Sequence, residues 1–489
     1  MWQNDRDMAN IIGRQYERYE LQRCCDSKDA EFVVVYGRRR VGKTYLINQF
    51  FDQKFDFKLT GIYNSDLDVQ LANFTDSLKE YSGQADWETP KSWREAFIQL
   101  RKYLSGIRYK GKSVVFIDEM PWLDTRNSDF FSSFEWFWNS WGSTRNNLLL
   151  IVCGSATAWI TKKLLANRGG LFNRTTSRIY LRQFTLAETE EYLVSQGINW
   201  SRYDIVECYM TMGGLPFYLK QIDPKLSYNA NIDNLFFKKG GKLWNEFSHL
   251  FQTLFLSPEN YIAVVDALAQ KRMGMTRDEI LRATKLPDNG KTTEILNNLI
   301  NCDFVRPYNY WGKRKKGTVF QLADYYTLFY FRFIKDHYGR DEAFWCHTID
   351  NPARAAWAGY SFEQVCKDHI GQMKKAIGIS AVLSEESCWY STDDDTSETD
   401  ARRVQIDLLI DRRDRVVNLC EMKFSVGEFV IDKDYEMSLR NKIAALQAVV
   451  KGKKAINLTM VTTFGVKQNA HSGIVQSEVR IDDLFVGEH

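Results

Sequence analysis

Short apolar runs separated by helical stretches dominate the first third of the chain. The runs read EFVVVY at 31–36, FDFKLT at 55–60, SVVFID at 113–118 and NNLLLIVCG at 146–154. Runs of β-branched and aromatic residues bounded by glycine or polar residues predict buried strands. Strands that alternate with helices form a parallel sheet wrapped by helices, so this pattern predicts an α/β domain.

The middle of the chain has a helical period. Two groups of apolar residues recur at helical spacing: Ile262, Val265, Leu268 and Ala269, and then Ile295, Leu296, Leu299 and Ile300. A hairpin is predicted at 304–324, with a basic tip at 313–316. Three helices and a basic hairpin are typical of a winged helix, whose third helix can enter a major groove while the wing touches phosphates. Such a module either contacts DNA, which we favour, or only bridges domains.

The last third returns to a mixed pattern. A helix is predicted at 358–373, two strands at 404–410 and 416–423 joined by the turn DRRDR, and another helix at 439–450. This order predicts a second α/β domain. The chain is therefore expected to contain a sheet domain (1–185), a helical lid (186–255), a winged helix (256–335) and a C-terminal α/β domain (336–489).

Composition narrows the class of protein. The 489 residues are 44% hydrophobic and 26% charged, with a net charge of +3, so any surface that binds nucleic acid must be a local basic patch. The nine cysteines show no metal-ligand or disulfide spacing. No signal sequence is recognised, and no apolar run approaches the roughly 20 residues that span a bilayer. The expectation is a cytoplasmic protein without a membrane partner.

The stretch GRRRVGKT fits the phosphate-binding pattern G-x-x-x-x-G-K-[ST]. Gly37 and Gly42 allow the loop to curl so that its N–H groups face phosphate oxygens. Lys43 is predicted to reach the β- and γ-phosphates of ATP, and the Thr44 hydroxyl to bind Mg²⁺. The neighbouring nucleotide-site candidates are Arg38, Arg39, Arg40, Val41 and Tyr45; the three arginines either help to hold phosphates or are simply solvated.

Two further strand ends carry polar residues. Asp118 is predicted to hold Mg²⁺ through water, and Glu119 to polarise the attacking water. Ser155 follows the strand at 146–154. In nucleotidases whose sheet has such a strand between the strand of the phosphate-binding loop and the strand of the acidic pair, a polar residue at this position senses the γ-phosphate. The aromatic stretch 130–143 is interpreted as a core helix rather than as a base-stacking surface.

These motifs, with VCGSATAWI and MGGLPFYL, resemble the archaeal-type ATPases of the AAA+/STAND lineage. The resemblance implies that Ile12 and Arg14 lie near the adenine and that the GGLP segment at 213–216 belongs to a lid touching the nucleotide. Arg174 is the candidate arginine finger or sensor, with Arg178 as the alternative. A finger acting in trans would require an oligomer.

The C-terminal strands carry a second candidate site. Thirteen residues separate Asp407 from Glu421, the length that two strand segments and a tight turn require. Paired carboxylates can share Mg²⁺, which lowers the pKa of a bound water and stabilises charge on a phosphate. Lys423 points to the same face of its strand as Glu421 and is expected to orient the water or neutralise charge.

This arrangement resembles the PD-(D/E)xK nuclease superfamily, with Ile406 standing where the motif has proline. The resemblance implies a restriction-endonuclease-like fold and assigns Glu363 to the helix glutamate that completes the metal site. The alternatives are an exposed hairpin with a Glu421–Lys423 ion pair, and a domain that binds nucleic acid without cutting it. The leading hypothesis is an ATPase coupled to a nuclease-like domain, with DNA as the favoured partner; the rival is an ATP-driven switch or scaffold.

Overall fold

We analysed a computed structural model of the chain. It describes residues 11–107, 111–155, 157–165, 170–171, 173–255, 257–311, 318–390, 404–450 and 454–487, so the hairpin tip predicted at 313–316 lies outside the described residues. The chain divides into two compact units. The first comprises 1–183 and 215–217, and the second comprises 184–214 and 218–489.

The first unit alternates strands and helices. Its elements are α1 (Gln15–Asp26), β1 (Glu31–Tyr36), α2 (Lys43–Phe50), β2 (Phe57–Thr60), α3 (Leu67–Ser82), α4 (Trp93–Gly106), β3 (Ser113–Asp118), α5 (Phe130–Ser140), β4 (Leu148–Gly154), α6 (Thr157–Ile160) and β5 (Ser177–Tyr180). Short 3₁₀ turns lie at Met120–Trp122 and Gly142–Thr144, and a π-helical turn at Thr161–Leu165.

The five strands of this unit form one parallel sheet in the order β2-β3-β4-β1-β5. All residues of β3 and β4 are buried, as expected for strands covered by helices on both faces. β4 lies between β1 and β3, whereas β2 lies at the edge. Because parallel strands end at the same edge of a sheet, the segments that follow β1, β3 and β4 meet there.

The aromatic helix α5 packs into the core of this unit, as predicted. Phe130, Phe134, Phe137 and Trp138 recur at helical spacing and are buried together with strand residues. Burial of each such side chain stabilises the fold by about 1.5–3 kcal/mol. The helix therefore supports the sheet through these buried rings.

The second unit contains the remaining elements. Its helices are α7 (Leu186–Ser195), α8 (Arg202–Met212), α9 (Pro216–Leu219, which begins in the first unit), α10 (Tyr228–Ile232), α11 (Glu246–Leu254), α12 (Pro258–Ala269), α13 (Arg277–Thr284), α14 (Gly290–Asn301), α15 (Tyr325–Phe329), α16 (Lys335–His337), α17 (Phe344–His347), α18 (Pro352–Asp368), α19 (Ile370–Ala376) and α20 (Lys433–Val449). Its strands are β6 (Met275–Thr276), β7 (Val305–Tyr308), β8 (Val319–Leu322), β9 (Ser384–Tyr390), β10 (Gln405–Arg412), β11 (Val416–Lys423), β12 (Ala455–Thr462) and β13 (Ser477–Arg480). Asp233–Phe237 and Tyr330–Ile334 are π-helical, and Ser472–Ile474 and Ile481–Phe485 are 3₁₀ turns.

Among the helices described, none is both long and apolar enough to cross a bilayer.

Helices α12, α13 and α14 and the antiparallel sheet β6-β8-β7 form a small module, here called the three-helix module. Of the positions predicted to share the first helical face, Val265 and Leu268 are buried, and Val264 is buried in addition. Beyond β7 the chain meets the C-terminal sheet, because Tyr310 forms a β-bridge with Cys388 and the Trp311 N–H donates to the Cys388 carbonyl at 2.9 Å.

The C-terminal sheet has the order β13-β12-β11-β10-β9. β9, β10 and β11 run antiparallel, while β11, β12 and β13 run parallel, with α20 connecting β11 to β12. Its core includes Leu409, Leu419, Leu439 and Leu458. Helix α18 begins at Pro352, earlier than the sequence pattern indicated, because the Asn351 side chain caps it; Glu363 therefore lies in the later half of the helix rather than at its start.

Candidate functional site

The P-loop between β1 and α2 depends on two glycines. Gly37 has a φ of +144°, and a Cβ at this position would lie 2.3 Å from the carbonyl oxygen of Leu181. Gly42 has a φ of +93° at the N-terminus of α2. Both conformations disfavour residues with a Cβ, so the spacing of the motif follows from the shape of the loop.

Lys43 lies inside this loop. Its Nζ atom donates to the carbonyls of Gly37 at 3.0 Å and Arg38 at 2.9 Å, and its side chain is buried. Burial lowers the pKa of Lys43 below its ordinary value, against the opposing influence of Cys153, Glu119 and Asp118. The ammonium group is therefore held at the concave side of the loop, where the motif predicts contact with phosphates.

The Asp118 carboxylate joins the ends of three elements. Its Oδ1 atom accepts from the Thr44 hydroxyl at 3.1 Å, the Glu119 N–H at 2.9 Å and the Cys153 thiol at 2.7 Å. Burial raises the pKa of Cys153 well above its ordinary value, and the charge of Asp118 acts in the same direction. The structure thus brings the two predicted magnesium ligands, Thr44 and Asp118, into direct contact.

Glu119 and Ser155 form a second contact across the sheet edge. Glu119 has a φ of +46°, in the left-handed region. One of its carboxylate oxygens accepts from the Ser155 N–H at 3.0 Å and from the Ser155 hydroxyl at 2.9 Å. Residues at strained backbone positions cluster at functional sites, where surrounding contacts hold them. The predicted base and the predicted sensor are therefore one hydrogen-bonded pair.

The loop arginines are packed rather than simply solvated. Arg38 is only 3% exposed. The guanidinium carbon of Arg39 lies 5.9 Å from the ring centre of Trp122, and that of Arg40 lies 3.7 Å from the ring centre of Phe217. Phe217 belongs to the segment 215–217, so this part of the predicted lid rests on the loop within the first unit.

The other predicted nucleotide residues differ in their surroundings. Arg14 is buried, and its Nη2 atom donates to the carbonyl of Val41 at 3.4 Å, which places it beside the loop. Ile12 is partly buried, and Tyr45 is exposed. Arg174 is exposed in the segment before β5, and its role as an arginine finger stays a prediction.

A cavity of about 1290 Å³ occupies the second candidate site. Its lining includes all four predicted residues, which come from three different elements: Glu363 of α18, Asp407 of β10, and Glu421 and Lys423 of β11. The β10–β11 ladder pairs Leu408 with Cys420 and stops one residue before Asp407 and Glu421 would face each other. The pairing of β10 with β9 also shifts register between Ile406 and Leu409. A bulge of this kind re-aims side chains beside functional sites.

Glu421 is buried and fully engaged. Its carboxylate accepts from the Tyr435 hydroxyl at 2.8 Å and from Lys442 Nζ at 2.7 Å, and it pairs with Lys423 Nζ at 3.1 Å. Burial tends to raise the pKa of Glu421, but the charges of Lys442 and Lys423 and these hydrogen bonds outweigh it and lower the pKa. The predicted Glu421–Lys423 ion pair exists, but it lies in a cavity rather than on an exposed hairpin.

Glu363 has the opposite electrostatic environment. Burial, followed by the negative charge of Asp407, raises the pKa of Glu363 to about 8, while Lys367 and Lys423 act against the shift. The Asp407 carboxylate accepts a hydrogen bond from the Gln405 side chain at 2.5 Å. The charged form of Glu363 is thus disfavoured by burial and by Asp407, and Lys367 and Lys423 offset this only in part.

The carboxyl groups of the cavity decide whether Mg²⁺ fits the site. Within the described residues, no group of three or more His, Cys, Asp or Glu side chains is arranged to hold a metal ion. Mg²⁺ is often held by one or two carboxylates together with retained waters. In this cavity Asp407 and Glu421 are the residues that would hold it, and Glu421 would first have to release part of its contacts with Lys423, Lys442 and Tyr435. Burial and the charge of Asp407 raise the pKa of Glu363, so a cation bound nearby would stabilise its ionised form.

Sequence reasoning missed three residues that complete these sites. Cys153 donates to Asp118, Tyr435 donates to Glu421, and Lys442 forms an ion pair with Glu421. Cys153 lies two residues before Ser155, at the end of an identified strand, so its position was a usable signal. Tyr435 and Lys442 lie on one face of α20, seven residues apart, but only the tertiary fold reveals that this face covers β11.

Comparisons with known proteins cover different shares of the chain, and the family match lies in its first half. The model of a family described as an ATPase domain found predominantly in Archaea matches residues 12–222. An uncharacterised protein of Methanocaldococcus jannaschii is 25% identical over 390 residues, covering 78% of this chain and 82% of that protein. An uncharacterised ATP-binding protein of the same organism is 41% identical over 44 residues, or 9% of this chain and 75% of that protein.

Among solved structures, the Walker-type ATPase of Pyrococcus abyssi aligns with a TM-score of 0.47 and 16% identity, covering 66% of this chain and 96% of that one. Cdc6p of Pyrobaculum aerophilum aligns with a TM-score of 0.30 and 12% identity, covering 67% and 97%. The family match is the informative one, because it spans the P-loop, the Asp118–Glu119 pair and Ser155.

Proposed function

We propose that this chain, whose residues 12–222 match the archaeal ATPase domain family and form a P-loop ATPase domain, couples ATP binding and hydrolysis to a metal-dependent nuclease-like site that acts on DNA. The observation that carries the proposal is the gathering of Glu363, Asp407, Glu421 and Lys423 in one cavity. Perturbed ionisable groups that converge in a cavity are typical of functional sites.

The contacts of the first site support a role in ATP hydrolysis for each of its residues. Lys43 holds the β- and γ-phosphates, and Thr44 and Asp118 would hold Mg²⁺, which neutralises charge on the phosphates. Glu119 orients the attacking water and accepts its proton. Ser155 fixes the Glu119 carboxylate and links its position to the state of the γ-phosphate.

The second site has the parts required to cleave a phosphodiester. Asp407 and Glu421 would hold Mg²⁺, which lowers the pKa of a bound water and withdraws charge from the phosphate. Lys423 is placed to neutralise charge that develops on the phosphate, and Lys442 and Tyr435 orient Glu421. The order of elements supports this resemblance: a helix with the glutamate, three antiparallel strands, a crossover helix and a parallel strand.

DNA is proposed as the partner because of the three-helix module. Three helices followed by a hairpin are typical of winged helices, which place the third helix, here α14, in a major groove. The sequence also places four consecutive basic residues between β7 and β8. The proposed division into an ATPase core, a lid, a winged helix and a nuclease-like domain keeps the boundaries expected from the sequence.

A second function is favoured by the engagement of Glu421. Because its oxygens contact Lys423, Lys442 and Tyr435, Glu421 can be a structural ion pair in a domain that recognises nucleic acid without cutting it. The protein would then be an ATP-driven switch. This alternative predicts nucleotide binding and DNA binding, with no metal-dependent cleavage.

A cleavage assay tests the proposal. Purified protein is incubated with linear and circular DNA and with RNA, in Mg²⁺ or Mn²⁺, with and without ATP, beside the Asp407→Ala variant. Cleavage that the variant loses while its ATP turnover stays near that of the wild type supports the nuclease-like site. Cleavage that survives the substitution overturns the metal-site assignment, and the absence of cleavage in all conditions favours the switch.

A further inference from the structure

The three-helix module supplies part of the wall of the cavity. Tyr308 and Gln321 of this module, and Tyr310 just beyond β7, line the same cavity as the carboxylates. The junction is held by specific contacts: the Trp311 indole N–H donates to Asp411 at 3.2 Å, and Arg306 forms an ion pair with Asp368 of α18. The segment that follows β7 is therefore fixed beside the candidate cleavage residues.

Aromatic rings face this cavity from both sides of the junction. The rings of Tyr310 and Tyr390 meet edge to face, with centres 4.5 Å apart. Both tyrosines are only partly buried, whereas Trp389, the residue between Cys388 and Tyr390, packs into the core of the sheet. Both residues line the cavity, and Tyr390 is the less buried of the two.

Cationic groups accompany these rings. Lys367 Nζ lies 4.9 Å from the ring centre of Tyr308, and Lys423, Lys442 and Arg272 also line the cavity. Four lining carboxyl groups oppose these four cations: Glu363, Asp407, Glu421 and Asp434. Lys423 Nζ likewise lies 5.2 Å from the ring centre of Tyr435. The cavity therefore presents cations beside aromatic rings, the two kinds of group that contact phosphates and bases in a bound strand.

We infer that this cavity binds an unpaired strand of nucleic acid, with bases stacked on Tyr310 and Tyr390 and phosphates near Lys367 and Lys423. Stacking on a tyrosine requires an exposed base face, which a paired and stacked duplex does not offer. A surface of aromatic rings and cations is typical of sequence-tolerant binding to single strands. The inference names the substrate class of the proposed cleavage site, but binding itself does not require cleavage.

Fluorescence anisotropy with the full-length protein tests the inference without cleavage, in buffer containing EDTA. The probes are fluorescein-labelled dT12, the corresponding rU12, and a blunt 12-base-pair DNA duplex. We expect at least one of the single strands to bind about 10-fold or more tightly than the duplex. The comparison of dT12 with rU12 then decides whether the bound strand is DNA or RNA. Duplex binding as tight as that of both strands would overturn the inference.

Variants test the named residues. Tyr310→Ala and Tyr390→Ala should each weaken single-strand binding by roughly 5-fold to 100-fold, while Tyr390→Phe, which keeps the ring, should restore it. Lys367→Gln should weaken binding. It should also reduce the slope of log affinity against log salt concentration by about the amount expected for one phosphate contact. Tyr19→Ala, which removes an exposed tyrosine of α1, is the matched control and should change nothing. Unchanged binding in both alanine variants and in Lys367→Gln would overturn the inference.

The outcomes separate this inference from the proposed function. Tyrosine-dependent binding of single strands without cleavage in Mg²⁺ would uphold the inference and remove the nuclease proposal. Cleavage of blunt duplexes that is unaffected by Tyr310→Ala and Tyr390→Ala would uphold the nuclease proposal and remove the inference. Cleavage confined to single strands or frayed ends, and weakened by both substitutions, would support both.

Discussion

The P-loop and the C-terminal cavity both concentrate charge, but they stabilise it differently. In the P-loop, the buried ammonium of Lys43 is met by two backbone carbonyls of its own loop, at 3.0 and 2.9 Å. In the cavity, the buried carboxylate of Glu421 is met by side chains from β11 and α20. The first arrangement follows from a few consecutive residues, whereas the second exists only when distant elements pack together.

The two sites also differ in how completely their charges are compensated. Asp118 has three hydrogen-bond donors on a single oxygen, and Glu119 is held by Ser155. By contrast, the nearby charge of Asp407 helps to raise the pKa of Glu363 to about 8. The charges of the P-loop site are therefore paired within the fold, whereas the charge on Glu363 in the cavity depends on pH. Four substitutions test this difference.

The largest effect is expected for Lys43→Ala. The substitution removes the cation that the loop holds for the phosphates, so ATP affinity should fall on the order of 100-fold or more. Isothermal titration calorimetry with ATP measures the change. The exposed Lys28 provides the control, because Lys28→Ala should leave the affinity unchanged. Wild-type ATP affinity in Lys43→Ala would remove the central role assigned to this residue.

Glu119→Gln should separate turnover from binding. The amide is nearly the same shape as the carboxylate, and its oxygen can still accept from the Ser155 N–H and hydroxyl, so the local structure should persist. Because the amide cannot accept the proton of the attacking water, turnover should fall about 100-fold or more, while ATP affinity stays within about threefold. A phosphate-release assay measures turnover. Unchanged turnover would favour a slow or inactive ATPase in a scaffold.

The same contrast explains how far the sequence predicted the molecule. Gly37, Gly42, Lys43 and Thr44 could be identified because the loop geometry imposes their spacing, and Asp118 because it ends a buried strand. The parallel sheet of the first unit followed from the alternation of strands and helices. These features depend on local sequence, so local reasoning reached them.

The parts that escaped prediction depend on tertiary contacts. Tyr435 and Lys442 could not be assigned to Glu421 from spacing alone, since their role requires α20 to pack on β11. The bulge beside Asp407 is likewise a mismatch between two strands, which neither strand shows by itself. The start of α18 was placed too late because its cap, Asn351, lies before the apolar pattern begins. Pairings between distant elements are the information that a single sequence conveys least.

Lys442→Met tests the side-chain compensation of Glu421. Loss of one partner leaves a buried carboxylate with only Lys423 and Tyr435, which should destabilise the fold by about 1–3 kcal/mol at pH 7. The melting temperature should fall by roughly 2–8 °C. Because the pKa of Glu421 is lowered in the folded protein, this penalty should shrink as the pH falls below the ordinary value of 4.5.

Arg440→Met is the matched control for that change. Arg440 lies on the same helix and pairs with Glu436, but its side chain is 65% exposed. Exposed ion pairs contribute about 0–1 kcal/mol, so the melting temperature should hardly move. Equal effects of the two substitutions, measured by differential scanning fluorimetry, would show that Glu421 does not depend on Lys442 for its charge.

Glu363→Gln should produce an effect that is absent at low pH and appears only as the pH rises. The folded protein keeps a proton on Glu363 up to about pH 8, whereas the unfolded chain releases it near 4.5. The unfolded state therefore binds fewer protons between these values, so this residue makes the free energy of unfolding decrease as the pH rises through that window. The amide that replaces the carboxyl cannot ionise, so the variant should match the wild type near pH 4.5 and exceed it near pH 8 by about 2 kcal/mol, allowing for partial solvation.

Melting curves from pH 4.5 to 8.5 measure this difference, with Glu385→Gln as the control because Glu385 is exposed at 82% on β9. At pH 8, Mg²⁺ should stabilise the wild type and reduce its disadvantage, since a cation favours the ionised carboxylates that the cavity otherwise disfavours. Asp407→Asn should remove both the magnesium effect and part of the pH dependence, because the charge of Asp407 contributes to each. Parallel pH profiles for the wild type and Glu363→Gln would show that the carboxyl is not held in its neutral form. The carboxyl groups of the cavity would then be as well compensated as the charges of the P-loop, and the difference between the two sites would not hold.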